Sequence, residues 1–317
     1  MQRHFHKKLT ALLVPLLLAA CASTPKFDAK PEAEIDQLFL RVQQHDAAAF
    51  QELQQQAERG DTLAQDRLAM AYIEGKGVPQ DYAQAKTWLK RAAEHGNAWA
   101  AFRLGFMHAN GVGSERDIPQ ARDWYQRAAE LGNTSAAYNL AQLYLTGSEA
   151  DRDPTQAARW YEQAAQGGLA IAQLNLGVQY ENGSGVTQDY AAAARWYQAA
   201  ATQDNTRAML NLGMLYEAGQ GVAKDETHAR ELYQRAADLG DAGGLQLIGR
   251  LYELGHGVSQ DNAIALEWYR KSADAGNWLA AGRISKAYQF GELGLEKDKQ
   301  LQDQWYKKYI QLQLPKR

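Results

Sequence analysis

Seven histidines, one cysteine and three evenly spaced glutamates are the residues of this chain whose types could carry chemistry. The histidines stand at positions 4, 6, 45, 95, 108, 228 and 256, and none makes His-Glu-x-x-His or another short metal-ligand spacing. Cys21 is alone, so neither an intramolecular disulfide nor a cysteine-based zinc site can form. Glu181, Glu217 and Glu253 lie 36 residues apart. A glycosidase carboxylate pair needs a gap of roughly 5–9.5 Å. Neighbouring helix pairs would hold this ladder roughly 10 Å apart, which favours a solvated acidic face, open to a basic partner segment. Gly-x-Gly segments such as Gly75-Lys76-Gly77 follow no strand and lead into no Gly-Lys-Ser/Thr, so they read as loops between helices rather than phosphate cradles. The sequence therefore predicts no catalytic residue, no metal and no cofactor.

The elements that must position any site are legible from composition and period. The chain has 317 residues, 45% hydrophobic and 22% charged, with a formal net charge of −3. That composition supports a packed core. The near-balance of charge argues against a nucleic-acid binder, which would carry a basic excess.

Residues 1–20 read as an address rather than as fold. Arg3, Lys7 and Lys8 precede a short apolar run from Leu9 to Leu18. A spanning helix would need about 20 apolar residues. The run ends in Leu18-Ala19-Ala20-Cys21, which resembles the lipobox of bacterial lipoproteins. The resemblance implies cleavage before Cys21 and a thioether-linked lipid on its thiol; an ordinary secretory signal with a chance cysteine is the other reading. Loss of residues 1–20 would leave 31 basic and 37 acidic side chains, a net −6. Ala22 follows the cysteine where an Asp would, in enterobacterial lipoproteins, direct retention in the inner membrane. The expected location is therefore the cell envelope, lipid-anchored in the outer membrane and facing the periplasm. Residues 21–33, with Pro25 and Pro31, read as a flexible tether.

A 36-residue period organises the rest. One column runs Trp88, Trp124, Trp160, Trp196, Leu232, Trp268. Others run Leu68, Leu104, Leu140, Leu176, Leu212, Ile248, Ile284 and Asp81, Asp117, Asp153, Asp189, Asp225, Asp261. Within a unit, Ala64, Leu68 and Tyr72 share one helical face. Gly75 suits a left-handed helix end, Val78 an apolar plug, and Asp81 the cap of a second helix. That helix carries Ala85, Trp88-Leu89 and Ala92-Ala93 and stops at Gly96. Small residues allow close helix approach, and a single unit cannot bury both faces, so the units must stack.

The pattern A-x-x-x-L-G-x-x-Y-x-x-G-x-G-V, then D, then A-x-x-W-Y-x-x-A-A-x-x-G resembles the Sel1-like repeat family, a relative of the tetratricopeptide repeat. The resemblance implies an all-α, right-handed solenoid of stacked helix-turn-helix repeats. The expected layout is a degenerate helix pair over 34–61, six repeats over 62–279 and a divergent capping repeat over 280–317. In that cap Tyr309 and Ile310 replace the alanine pair and are expected to close the end. Ser148-Glu149-Ala150 breaks the Gly-Val pattern, so the third loop should differ.

In the related tetratricopeptide fold the first helices line a concave surface. Register then places Leu63, Asp66, Met70, Trp99, Phe102, Phe106, Tyr138, Leu174, Leu210 and Met214 on that face, with Glu181, Glu217 and Glu253 toward its C-terminal half. Trp99, Phe102 and Phe106 at i, i+3 and i+7 suit interface anchors; packing on the preceding unit would use the same rings. The expected function is a non-enzymatic scaffold for another envelope protein, joined to the membrane by its lipid. Glycan or peptidoglycan binding, or regulation of an envelope hydrolase, are the alternatives.

Overall fold

The structure, a computed structural model, describes residues 30–147 and 152–314. The expected leader, Cys21 with its lipid and the departure at Ser148-Glu149-Ala150 lie outside the described residues.

Among the described residues there are sixteen helices and no strand. They come in eight consecutive pairs: α1 (Glu32–Gln43) with α2 (Ala47–Glu58), α3 (Thr62–Glu74) with α4 (Tyr82–Glu94), α5 (Ala98–Asn110) with α6 (Ile118–Glu130), α7 (Thr134–Thr146) with α8 (Pro154–Gln166), α9 (Ala170–Asn182) with α10 (Tyr190–Ala201), α11 (Thr206–Ala218) with α12 (Glu226–Asp238), α13 (Ala242–Leu254) with α14 (Asn262–Asp274), and α15 (Trp278–Phe290) with α16 (Lys299–Gln313). Helix α1 begins inside the segment expected to be tether. The seventh repeat unit opens at Trp278, slightly ahead of the expected start of the cap.

Capping sets these boundaries. The aspartate column opens every second helix from α4 to α16, each carboxylate accepting from backbone N–H groups in the first turn. The first helices have their own caps: Asp61, Asn97, Asn133, Asn205, Asp241 and Asn277 accept in the same way, whereas Leu169 opens α9 without a side-chain acceptor. The loop between paired helices is closed by one recurring bond, as when the Asp81 N–H donates to the Tyr72 carbonyl at 2.9 Å and the Asp189 N–H to Tyr180 at 2.9 Å. Gly147 ends α7 with extended backbone, φ −60°, where Gly75, Gly111, Gly183, Gly219, Gly255 and Gly291 end their first helices in the left-handed region.

Packing follows the columns. Ala85, Trp88, Leu89, Ala92 and Ala93 form the buried face of α4, and the same places are buried in α8. Each helix packs on its predecessor and successor, which makes the stack a solenoid. Helices two apart approach most closely where both are first helices: α1 with α3, α5 with α7, α11 with α13. First helices therefore lie on the inside of the curve and second helices on the outside. At Gly77, Gly185 and Gly221 successive units meet backbone to backbone, whereas Gly113 faces the Tyr82 side chain. Gly185 has φ +75°, and a Cβ there would overlap the Pro154 carbonyl of the unit before.

The last helix seats Tyr309, one of the residues in the alanine-pair place, against α15. Gly282 of α15 gives room to the Tyr309 ring, which a Cβ at that glycine would meet at 2.9 Å. With Tyr309 in that seat, Tyr306 turns outward, and none of the residues of α16 is buried.

Candidate functional site

The inner face is built from four rows on the first helices, and the structure separates them by depth. The row of Leu63, Trp99, Ile171 and Leu279 and the row of Met70, Phe106, Val178 and Met214 are the more open ones, although Leu63 and Val178 pack partly against the core. Trp99 is 54% exposed and Phe106 48% exposed, on one face of α5. Ile171 and Met214 are exposed, while Leu63 and Met70 are half-buried. The row between them leans back. Phe102 stacks at 5.8 Å on Tyr125 of its own second helix, and Tyr138 lies 5.8 Å from Tyr161. Leu210 is half-buried against the core. Leu174, placed on the open face by register, is only 2% exposed and belongs to the core, because its row packs on the second-helix tyrosines. Asp66, in the same row, is buried and bonded to Arg67 at 2.8 Å and Arg103 at 2.9 Å.

The aromatic trio is thus divided between the two expected roles. Phe102 is packing, held between Trp99 at 5.7 Å, edge to face, and Tyr125. Trp99, beside it, and Phe106, one turn further on, keep much of their ring area in solvent. Burial of such rings on a partner is a strong source of affinity.

The fourth row corrects the expectation of a solvated acidic ladder. Glu181 accepts from the Tyr197 hydroxyl. Glu217 accepts from Tyr233 at 2.6 Å and pairs with Arg250 of the next unit. Glu253 accepts from Tyr269 at 2.6 Å and from Arg283 of the next unit at 3.0 Å. Each acid is partly buried and spent on its own fold. Burial raises the phenol pKa of Tyr197, Tyr233 and Tyr269, and the adjoining carboxylate raises it further, so all three stay protonated donors. Burial opposes the Glu253 carboxylate, but the bonds from Arg283 and Tyr269 outweigh it and hold its pKa below the ordinary value. Glu217 and Glu253 therefore serve as struts between units and Glu181 as a tie within its own, and a basic partner segment finds few free carboxylates there.

A second apolar surface escaped the sequence reading. At the C-terminal end of the same face, Trp278, Leu279, Phe290, Tyr306 and Tyr309 line an open cleft of about 610 Å³ with Lys286 at its wall. Its signal was present: Trp278 and Phe290 occupy places that hold Thr, Ala, Asn or Glu in most earlier units.

Among the described residues no group of His, Cys, Asp or Glu is arranged to hold a metal ion, and no helix is long and apolar enough to cross a membrane.

Comparison with known proteins agrees with this geometry. The Sel1 repeat family matches residues 62–97, 100–133, 134–169, 170–205, 206–241 and 244–277. A Sel1 repeat protein from Oxalobacter formigenes is 30% identical with a TM-score of 0.67, over 90% of this chain and 80% of that one. A protective antigen of uropathogenic Escherichia coli with an SLR fold is 31% identical with a TM-score of 0.64, over 84% of this chain. This chain spans 64% of the length of that antigen. The comparison with curated proteins finds no match. Sel1 repeats are typically protein–protein interaction modules, and no catalytic family is indicated. Six matched units, capped and stacked as described, establish that the chain belongs to the Sel1 repeat family.

Proposed function

We propose that this chain is a non-enzymatic scaffold of the bacterial cell envelope, lipid-anchored through Cys21 in the outer membrane and facing the periplasm, whose inner face captures a segment of another envelope protein. The observation that carries the reading is the exposure of Trp99 and Phe106, two turns apart on one face of α5. The fold asks nothing of these two places, since the units filled by Ser135 and Gln142 stack as well. Large apolar side chains left in water on a concave face suit a partner that buries them. The lipobox-like Leu18-Ala19-Ala20-Cys21 supports the envelope address.

The test is a photo-reactive residue at Phe106 in cells, with one at the exposed loop residue Lys76 as control. A single protein crosslinked from Phe106 and absent from the control supports the scaffold and names its partner. Crosslinks to peptidoglycan or another glycan from Phe106, with no protein, overturn it in favour of glycan binding. Equal crosslinking from both positions removes the inner face as the site.

A further inference from the structure

The row of Glu181, Glu217 and Glu253 repeats an acid but not its partners. Each carboxylate accepts from the tyrosine of its own second helix, Tyr197, Tyr233 and Tyr269 in turn. Two of the three also hold an arginine from the next first helix. Arg250 on α13 pairs with Glu217, and Arg283 on α15 bonds Glu253 at 3.0 Å. On α11, the helix that follows Glu181, the places of those two arginines are taken by Met214 and Asn211. Neither side chain carries a charge, and Asn211 is bonded to Tyr197. The Tyr197 hydroxyl supplies the one bond to the Glu181 carboxylate among the described residues.

This half-buried acid faces a cleft of about 450 Å³ whose walls include Met214, Lys224, Arg250 and Leu254. The basic groups of the cleft are engaged elsewhere. Arg250 is held by Glu217, His256 lies 3.7 Å from the same carboxylate, and Lys224 pairs with Glu226 at 2.7 Å. Met214 is 42% exposed and Leu254 52% exposed, so apolar surface flanks the acid. The cleft thus offers one unmatched carboxylate beside apolar walls. The group that complements it is a cation on an apolar stem, and the two following units show that group to be a guanidinium.

We propose that Glu181 and Met214 form a seat for an arginine side chain of the captured segment. Its guanidinium donates to Glu181 as Arg250 and Arg283 donate to the next two acids, and its methylene stem lies on Met214. The seat rests on the reading of the inner face as the capture site and adds what the partner must carry. Phe106 on α5 and Glu181 on α9 are two units apart, roughly 20 Å at the helix-packing distance. An extended segment that covers Trp99 and Phe106 with apolar side chains carries its arginine about six residues further on.

The test has an arm in solution and an arm in cells. The full chain, in mild detergent and with isotope-labelled methionine methyls, is titrated to about 10 mM with acetyl-Leu-Arg-Leu-amide, a range suited to a single millimolar contact. The Met214 methyl should shift, while Met70, half-buried in the same row, should not. Citrulline in place of the peptide's arginine keeps the shape without the charge and should weaken binding at least about fivefold. Glu181→Gln should do the same, since its amide still accepts from Tyr197. In cells, Glu181→Gln should lower the Phe106 crosslink at least about threefold. Met214→Arg, which puts on α11 the arginine that α13 carries, should lower it likewise. No Met214 shift, or an equal shift with the citrulline peptide or in Glu181→Gln, overturns the seat. A Phe106 crosslink unchanged by both substitutions also overturns it, while the inner-face scaffold stands. No Phe106 crosslink in the parent chain removes the scaffold reading instead, and the methyl titration alone then decides the seat.

Discussion

A Cβ on Gly177 would stand 2.5 Å from Cε1 of Tyr197. The glycine lies mid-helix in α9, where its backbone is ordinary, so conformation does not explain it. Space does: the tyrosine ring of the second helix rests directly on the backbone of the first. Gly105 with Tyr125 and Gly213 with Tyr233 repeat the contact. The first unit has Ala69 with Leu89, and the third holds Ala141 beside a buried Tyr161, so that unit admits the methyl in its own packing while the seat at Gly177, as it stands, has no room for one.

Gly177→Ala should therefore destabilise the chain, against its intrinsic helix preference. Alanine in a helix gains about 0.5–1 kcal/mol over glycine, but forcing a methyl into a packed contact costs about 1–3 kcal/mol. A net loss of about 1–2 kcal/mol is expected in urea denaturation. Adding Tyr197→Leu, which recreates the Ala69–Leu89 pair, should recover part of it as a favourable coupling. A Gly177→Ala chain as stable as the parent would show that the ring yields freely.

Trp99 and Phe102 should separate when stability and binding are both measured. Trp99→Ser removes a largely solvated ring and should change unfolding free energy by less than about 1 kcal/mol. Phe102→Ala empties a seat against Tyr125 and should cost about 2–4 kcal/mol. Loss of the Phe106 crosslink in Trp99→Ser, with the melting temperature kept, is the outcome expected of an anchor.

Acid should loosen the stack through Glu253. Its folded pKa is lowered, so its contribution is present above the unfolded carboxylate value, near 4.5, and is lost as pH falls through the lower folded value. The melting temperature should drop below that pH, and Glu253→Gln should flatten the drop by removing the titration. The Glu253→Gln chain should also be less stable than the parent at pH 7, because the neutral amide gives up the ion pair with Arg283.

Cys21→Ser should release the chain from membranes. Fractionation of cells should move it from the detergent-soluble envelope fraction to the aqueous one if the signal is still removed, or leave it uncleaved at its higher mass. Mature, membrane-retained Cys21→Ser protein would rule out the lipid as the anchor.

The stack was readable because its determinants are local and repeated. The aspartate caps, the glycine ends and the alanine pairs each state their role within a few residues, and the 36-residue period states it again six times. The asparagine caps of the first helices, such as Asn97 and Asn133, were overlooked because Leu169 and Asp241 interrupt that column. The site was less readable. Register placed Trp99 and Phe106 correctly on the open face, but it could not tell Leu174 from Met214. That difference depends on which row leans on Tyr125 and its counterparts, and only three-dimensional packing decides it. Glu217 looked free because its partners Tyr233 and Arg250 are 16 and 33 residues away, on two other helices.

The meeting of Gly185 with the Pro154 carbonyl makes the joint between units a joint of main chain to main chain, indifferent to the outward side chains. Such a joint lets whole units be gained or lost without redesign of their neighbours. Copy number then sets a spacing. Each added unit would move α5 and the C-terminal cleft one helix pair further apart without altering any contact.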